Sequence, residues 1–323
     1  GALLASASVS NAGITWDAGD WTVDMNGSVT AFAIFSDSKD TTGPKGGLAA
    51  TQRSEDADSE SASISTGTLP DWLGFTATTR QNDIDTSITI SFQPDVGGTA
   101  AFQGGGTAAN WQAFLTLGDK SWGSVKVGKD LGIFGSTAIL NDMTLLGVGS
   151  QGVVGSSGGT TTTLGRIGTG YIYADWNGQI AYTTPNMNGF SATVGVMQPW
   201  NVTQSGVLSA TSAGNTDEFG FQGQASYSWT GDFAGKVWAG FFTQEVTGMT
   251  DGAATPAALT SNQSDTATAY EAGVSATVMN INLVAYGYSG DGVGTTGLLR
   301  DGYATDGESR DSDGYYAQAT YVI

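Results

Sequence analysis

The chain has neither cysteine nor histidine among its 323 residues. The first absence removes disulfides and thiol chemistry. The second removes the Ser-His-Asp and Cys-His catalytic arrangements together with imidazole metal ligands. Charge is scarce: 13% of residues are charged, against about 25% in an ordinary soluble domain. Basic residues are the scarcest, 11 against 30 acidic ones, and the net charge is −19. That balance speaks against a nucleic-acid partner, which is held through basic patches. No apolar run reaches the about 18 residues of a membrane-crossing helix. Membrane residence would therefore have to be by a barrel, whose strands leave a weaker signal.

What is plentiful is glycine, at 49 residues, with serine and threonine. Residues 1–12 are small and uncharged and read as the tail of a secretory signal peptide, with Ser10, Asn11 and Ala12 as the cleavage site. From Trp21 apolar and polar residues alternate. Over 21–35, Trp21, Val23, Met25, Val29, Ala31 and Ala33 oppose Thr22, Asp24, Asn26, Ser28 and Thr30. Leu73, Phe75 and Ala77 oppose Thr76, Thr78 and Arg80, and Phe219, Phe221, Ala225 and Tyr227 oppose Glu218, Gln222, Gln224 and Ser226. Period two predicts strands with one apolar and one polar face.

About thirteen such strands can be counted, and short turns alternate with long connections, as in outer-membrane barrels. A soluble sandwich would alternate too, but long polar faces of Gln, Ser and Thr suit a water-filled lumen. Trp21, Trp72, Trp229, Tyr270, Tyr286 and Tyr288 lie near strand ends and fit interfacial aromatic girdles.

The rhythm breaks once. Trp111, Ala113, Leu115 and Leu117 share a strand face, a turn at 118–123 follows, and Val125 and Val127 alternate with Ser124 and Lys126. Residues 130–164 then hold only one helix-like piece, 139–146, in a run that is long for a loop. In a wide barrel such an insertion can fold inward and narrow the lumen. The stretches 113–117 and 123–129 resemble the strand, turn and strand that lead into the third extracellular loop of Gram-negative outer-membrane general porins, with Lys129 where that family usually has Arg. Residues 179–190, which include Tyr182, Pro185, Asn186, Gly189 and Phe190, are similar to that family's strand-turn-strand motif.

The resemblance implies an all-β, transmembrane antiparallel β-barrel of about 16 strands, with about 13 present in a chain that looks cut at its C-terminal end. Residues 13–323 would form the barrel and 130–164 its constriction loop. It implies an outer-membrane porin for passive diffusion of small hydrophilic solutes and ions, a homotrimer set in lipid and lipopolysaccharide, with no cofactor and no catalysis. Arg80, Lys126, Lys129, Asp130, Asp142 and Arg166 are the candidates for the constriction, where bases facing carboxylates would set a transverse field. The acidic connections 36–60 and 290–313 would give the outer mouth a preference for cations.

Other readings stand beside these. The acidic run that holds Asp306, Glu308, Asp311 and Asp313 is a weak Ca²⁺ candidate, since it lacks EF-hand spacing. Glu218 and Glu271 are carboxylates on polar faces; lumen lining suits them better than glycoside hydrolysis. Gly-x-Gly-x-x-Gly at 147–152 and 292–297 lacks the strand-helix context of a dinucleotide site. A surface adhesin or other structural β-protein would show a short fixed repeat, which is absent. A secreted β-sandwich hydrolase that uses carboxylates would be extracted without detergent.

Overall fold

The computed structural model describes residues 13–37, 60–68, 71–94, 109–146, 152–154, 159–161, 163–200, 202–204, 218–247, 264–304 and 307–322. The signal-like residues 1–12 lie outside these, as does most of the acidic connection 36–60. The strands are β1 (Ile14–Ala18), β2 (Trp21–Ser28), β3 (Phe32–Asp37), β4 (Glu60–Ser65), β5 (Trp72–Gln81), β6 (Ile84–Gln93), β7 (Ala109–Asp119) and β8 (Gly123–Leu131). A short helix α1 (Ser136–Asn141) and a 3-10 turn (Met143–Leu146) follow. Then come β9 (Gly152–Val154), β10 (Gly159–Thr161), β11 (Trp176–Thr183), β12 (Phe190–Met197), β13 (Thr203–Gln204), β14 (Gly220–Trp229), β15 (Phe233–Thr247), β16 (Ser264–Val278), β17 (Ile281–Asp291), β18 (Arg300–Tyr303) and β19 (Asp311–Tyr321).

Thirteen of these strands, β1, β2, β5 to β8, β11, β12, β14 to β17 and β19, form one antiparallel sheet in chain order, with β1 and β19 at the ends of that order. The number equals the count from periodicity, but that count began at Trp21 and so did not include β1. Alternation of β-branched and aromatic with small polar residues explains why they extend. The tight turns have the residues that positive φ demands: Asn82 and Asp83 have φ of 48° and 62° between β5 and β6, the pattern of a two-residue hairpin loop.

Boundaries differ from the sequence reading at the interruptions. The strand expected over 21–35 is two: β2 ends at Ser28, and β3 pairs with β4 outside the main sheet. Asp71 pins the break, its Oδ1 accepting the Thr30 backbone N–H at 2.6 Å. The insertion is longer than 130–164, because β8 runs on to Leu131 and β11 begins at Trp176. The helix-like piece begins three residues earlier than expected, at Ser136.

The residues cluster into two compact units, one formed by Gly1–Leu117 and Asp142–Arg166, the other by Gly118–Asn141 and Ile167–Ile323. In the first, Thr76 pairs with Thr89 across β5 and β6 on a polar face, their hydroxyls 3.1 Å apart, and the Trp72 indole donates to Asn26 Oδ1 at 2.8 Å on that same face. Leu73, Ile88, Ile90 and Phe92 form its exposed apolar face. The second unit contains the site.

Candidate functional site

In the second unit residues 132–141 lie against the polar face of the strand wall. The register of β14 to β19 puts Gln222, Gln224, Trp238, Phe242, Glu271, Tyr286, Tyr316 and Gln318 in phase on that face. Phe221, Tyr227, Val237, Phe241, Tyr270, Val274, Leu283 and Tyr315 are on the opposite face and are exposed.

Leaving β8, the chain exposes a run of backbone donors, and the wall meets each of them. Gln222 Oε1 accepts the N–H groups of Ile133 at 2.7 Å and Phe134 at 2.9 Å. Glu271 Oε2 accepts that of Gly135 at 3.0 Å. Gln224 Oε1 accepts the Thr137 hydroxyl at 2.7 Å. At the other end of α1 the polarity reverses. Tyr316 donates to the Ala138 carbonyl at 2.7 Å, and Gln318 Nε2 to that of Asn141 at 2.5 Å. Acceptors thus meet the backbone N–H groups of the three residues that lead into α1, and donors meet carbonyls of its last turn, which a helix leaves unpaired.

Glu271 is the hub. Besides Gly135 it accepts Gln224 Nε2 at 2.9 Å and the Tyr286 hydroxyl at 2.8 Å, and it is 4% exposed. All three contacts are donated to its carboxyl oxygens.

Apolar contacts complete the cover. Phe134, fully buried, meets Phe242 at a ring distance of 6.3 Å, and Phe242 meets Trp200 edge-on at 5.9 Å. Tyr286 lies between Trp238 and Tyr316, at 6.5 and 5.6 Å. Gly135 has a φ of +76°, and a Cβ there would stand 2.7 Å from the Ile172 carbonyl oxygen. Only glycine meets both conditions comfortably.

The candidate residues are distributed unevenly. Lys126 and Asp130 share the inward phase of β8 and form an ion pair. Lys129 is in phase with Val125 and Val127, on the opposite face, near Asp175. Burial pushes the Asp175 carboxyl above its ordinary range, while the Trp176 N–H, Lys129 and Arg300 act the other way. In the first unit, Arg80 is in phase with Thr76 and Thr78 but at the tight-turn end of β5, paired with Asp85 at 2.8 Å and Asp83 at 3.7 Å. Asp142 is buried; it takes the backbone N–H groups of Thr144 at 2.9 Å and Arg166 at 2.7 Å.

Of the acidic run, Asp306 lies outside the described residues. Asp311 and Asp313 are exposed on the face away from the pinned segment, and the Glu308 carbonyl accepts the Ala304 N–H at 2.8 Å. Asp301 pairs with Arg310 at 3.4 Å. Among the described residues no group of three or more Asp or Glu side chains is placed to hold a metal.

Two expectations are corrected. Glu271 and Gln222, read as open lumen lining, are covered by the pinned segment. Trp72, Tyr286 and Tyr288, read as girdle residues, lie on the polar faces of their strands, and the two tyrosines are buried; Trp229 and Tyr270 do point the other way. The residues that hold the segment, Gln222, Gln224, Glu271, Tyr316 and Gln318, were not singled out as a group. Their one signal was amide, carboxyl and phenol groups in phase on long strands, which a wet lumen would also produce.

The model of the Gram-negative porin family matches residues 1–323. Among solved structures the chain is similar to the outer membrane channel DcaP of Acinetobacter baumannii, with a TM-score of 0.64 at 16% identity over 97% of this chain and 77% of that one. It is also matched to OprB of Pseudomonas putida, with a TM-score of 0.43 at 12% identity over 84% and 66%, a likeness too weak to add to the fold assignment. No curated protein matches the sequence. The DcaP likeness gives the fold, an antiparallel β-barrel, and the family match gives the location, the outer membrane. With a polar strand face, an exposed apolar face and a segment held against the polar one, the chain belongs to the Gram-negative porin family.

Proposed function

We propose that the chain forms a water-filled pore through which small hydrophilic solutes and ions diffuse passively, and that it performs no catalysis. The observation that carries this reading is the segment 132–141, held by hydrogen bonds from side chains of three strands against a polar wall. A segment so held sets a fixed cross-section and passes solutes by size. Near it, the Lys126–Asp130 pair is the constriction's charged element, and Asp142 is a buried brace of the turn that follows α1. Arg80, Lys129 and Arg166 act, on this reading, at the margins of the lumen. The acidic connections give the outer mouth its cation preference. The working form is a homotrimer, with the exposed apolar faces against lipid, lipopolysaccharide and neighbouring copies.

The test is purification in detergent followed by planar-bilayer recording and swelling of liposomes in sugars of graded size. Stepwise conductance, a sharp size limit and a heat-modifiable oligomer on gels are expected. A protein that stays soluble without detergent and leaves bilayers silent would refute the proposal.

A further inference from the structure

On the face that meets the pinned segment, β15 presents Val246, Gln244, Phe242, Trp238 and then Lys236. The first four are buried at 3% exposure or less, and Lys236 is half-buried. The cover therefore ends between Trp238 and Lys236. Directly across from Lys236 stand Ser228 on β14 and Ser275 on β16, and the next row holds Thr277 and Asn282. This is a hydroxyl-rich strip with one charge. Among the described residues no hydrogen bond or ion pair reaches the Lys236 ammonium.

The other charges on this face of the second unit are engaged or distant. Lys126 is paired with Asp130, Glu271 accepts three hydrogen bonds beneath the segment, and Asp265 is near the other end of β16.

We propose that Lys236 is the specificity-determining residue for small inorganic anions, which it holds in transit between its ammonium and the hydroxyls of Ser228 and Ser275. The proposal rests on the channel reading. An uncompensated ammonium on a lumen wall raises the local concentration of anions and lowers that of cations. Serine hydroxyls donate to an anion as readily as to water. A unit charge roughly 5 Å from a passing ion changes its occupancy about fourfold even at the dielectric constant of water. The wall beside Lys236 includes buried Val284 and Trp238, which strengthens the effect. Acidic connections favour cations at the mouth, so the wild-type preference is a balance of two terms, and Lys236 is the one a single substitution removes.

The test is the reversal potential in a potassium chloride gradient across planar bilayers, for the wild type, Lys236→Gln, Lys236→Arg and Ser228→Asp. Ser228→Asp leaves the lysine in place and sets a carboxylate opposite it, so it serves even where Lys236→Gln fails to assemble. Lys236→Gln and Ser228→Asp should each raise the potassium-to-chloride permeability ratio by about fourfold or more, with Lys236→Arg near wild type. Conducting variants whose ratio stays at the wild-type value would overturn the role of Lys236 while leaving the channel intact. A wild-type protein that does not conduct would overturn the channel reading, and this proposal with it.

Discussion

Glu271, in the middle of β16, accepts the backbone N–H of Gly135 at 3.0 Å from a residue 136 positions earlier in the chain. That contact fixes the start of α1, and Gln222 fixes the two residues before it.

Removing those acceptors should free the segment. Gln222→Ala strands two buried N–H groups, at about 1–3 kcal/mol each. Glu271→Ala strands Gly135, Gln224 and Tyr286 together, so its effect should be larger. Single-channel recordings should show frequent fluctuations and a higher mean conductance for both. Conductance and noise like those of the wild type would mean that the apolar contacts of Phe134 hold the segment alone.

Gly135→Ala combines a positive φ with a close approach to the Ile172 carbonyl. The conformation alone costs about 1–2 kcal/mol. The expected outcome is lower heat resistance of the folded oligomer on gels, with a disturbed conductance. A substitution at Gly19, with φ +65° and nothing within 4 Å of a new Cβ, carries only the conformational cost and should be milder.

The chain lacks native cysteine, so single cysteines report on accessibility directly. Val194→Cys and Phe221→Cys should resist a membrane-impermeant thiol reagent, because they lie on the apolar face. Ser228→Cys and Thr277→Cys should react. Gln222→Cys lies on the same face as Ser228 yet is 1% exposed under the segment, so it should react slowly. Rapid reaction at 222 would show that the segment leaves the wall in the membrane.

The Lys126–Asp130 pair carries no net charge, so each half masks the other. Lys126→Ala should move the reversal potential toward cation preference, and Asp130→Asn toward anions, by comparable amounts. Because Asp130 is the more buried of the two, Lys126→Ala should also weaken assembly, since it takes an opposite charge away from a buried carboxylate. A shift of the same sign from both variants would rule the pair out as a charged element of the constriction.

Most of the sheet was legible in the sequence, because period-two alternation is a local property. Phe190, Val194, Phe221 and Tyr227 lie on the face their phase assigned. What the alternation could not tell was which polar-face residues meet water and which meet protein. Gln222 and Ser228 have the same phase on the same strand, yet one is buried and the other exposed. The difference comes from a segment about 90 residues earlier, and no local pattern encodes that. Lys129 illustrates a second limit. Its place beside the insertion suggested a shared site with Lys126, but three residues along a strand reverse the face.

The reversal of polarity along α1 also bears on how the barrel is assembled. Every group that receives the segment is synthesised after it: Gln222 follows Ile133 by 89 residues, Glu271 follows Gly135 by 136, and Tyr316 follows Ala138 by 178. Contacts of such sequence separation form late, because the intervening chain must first lose its freedom. Until β14 to β19 are paired, the N–H groups of 133–135 depend on water. The segment thus enters as one of the last pieces, and it seats only when the final strands stand in the register that aligns Glu271 with Tyr286 and Tyr316. A strand slipped by one position would turn those side chains to the other face and leave the segment without its partners, so a seated segment and a correct register require each other.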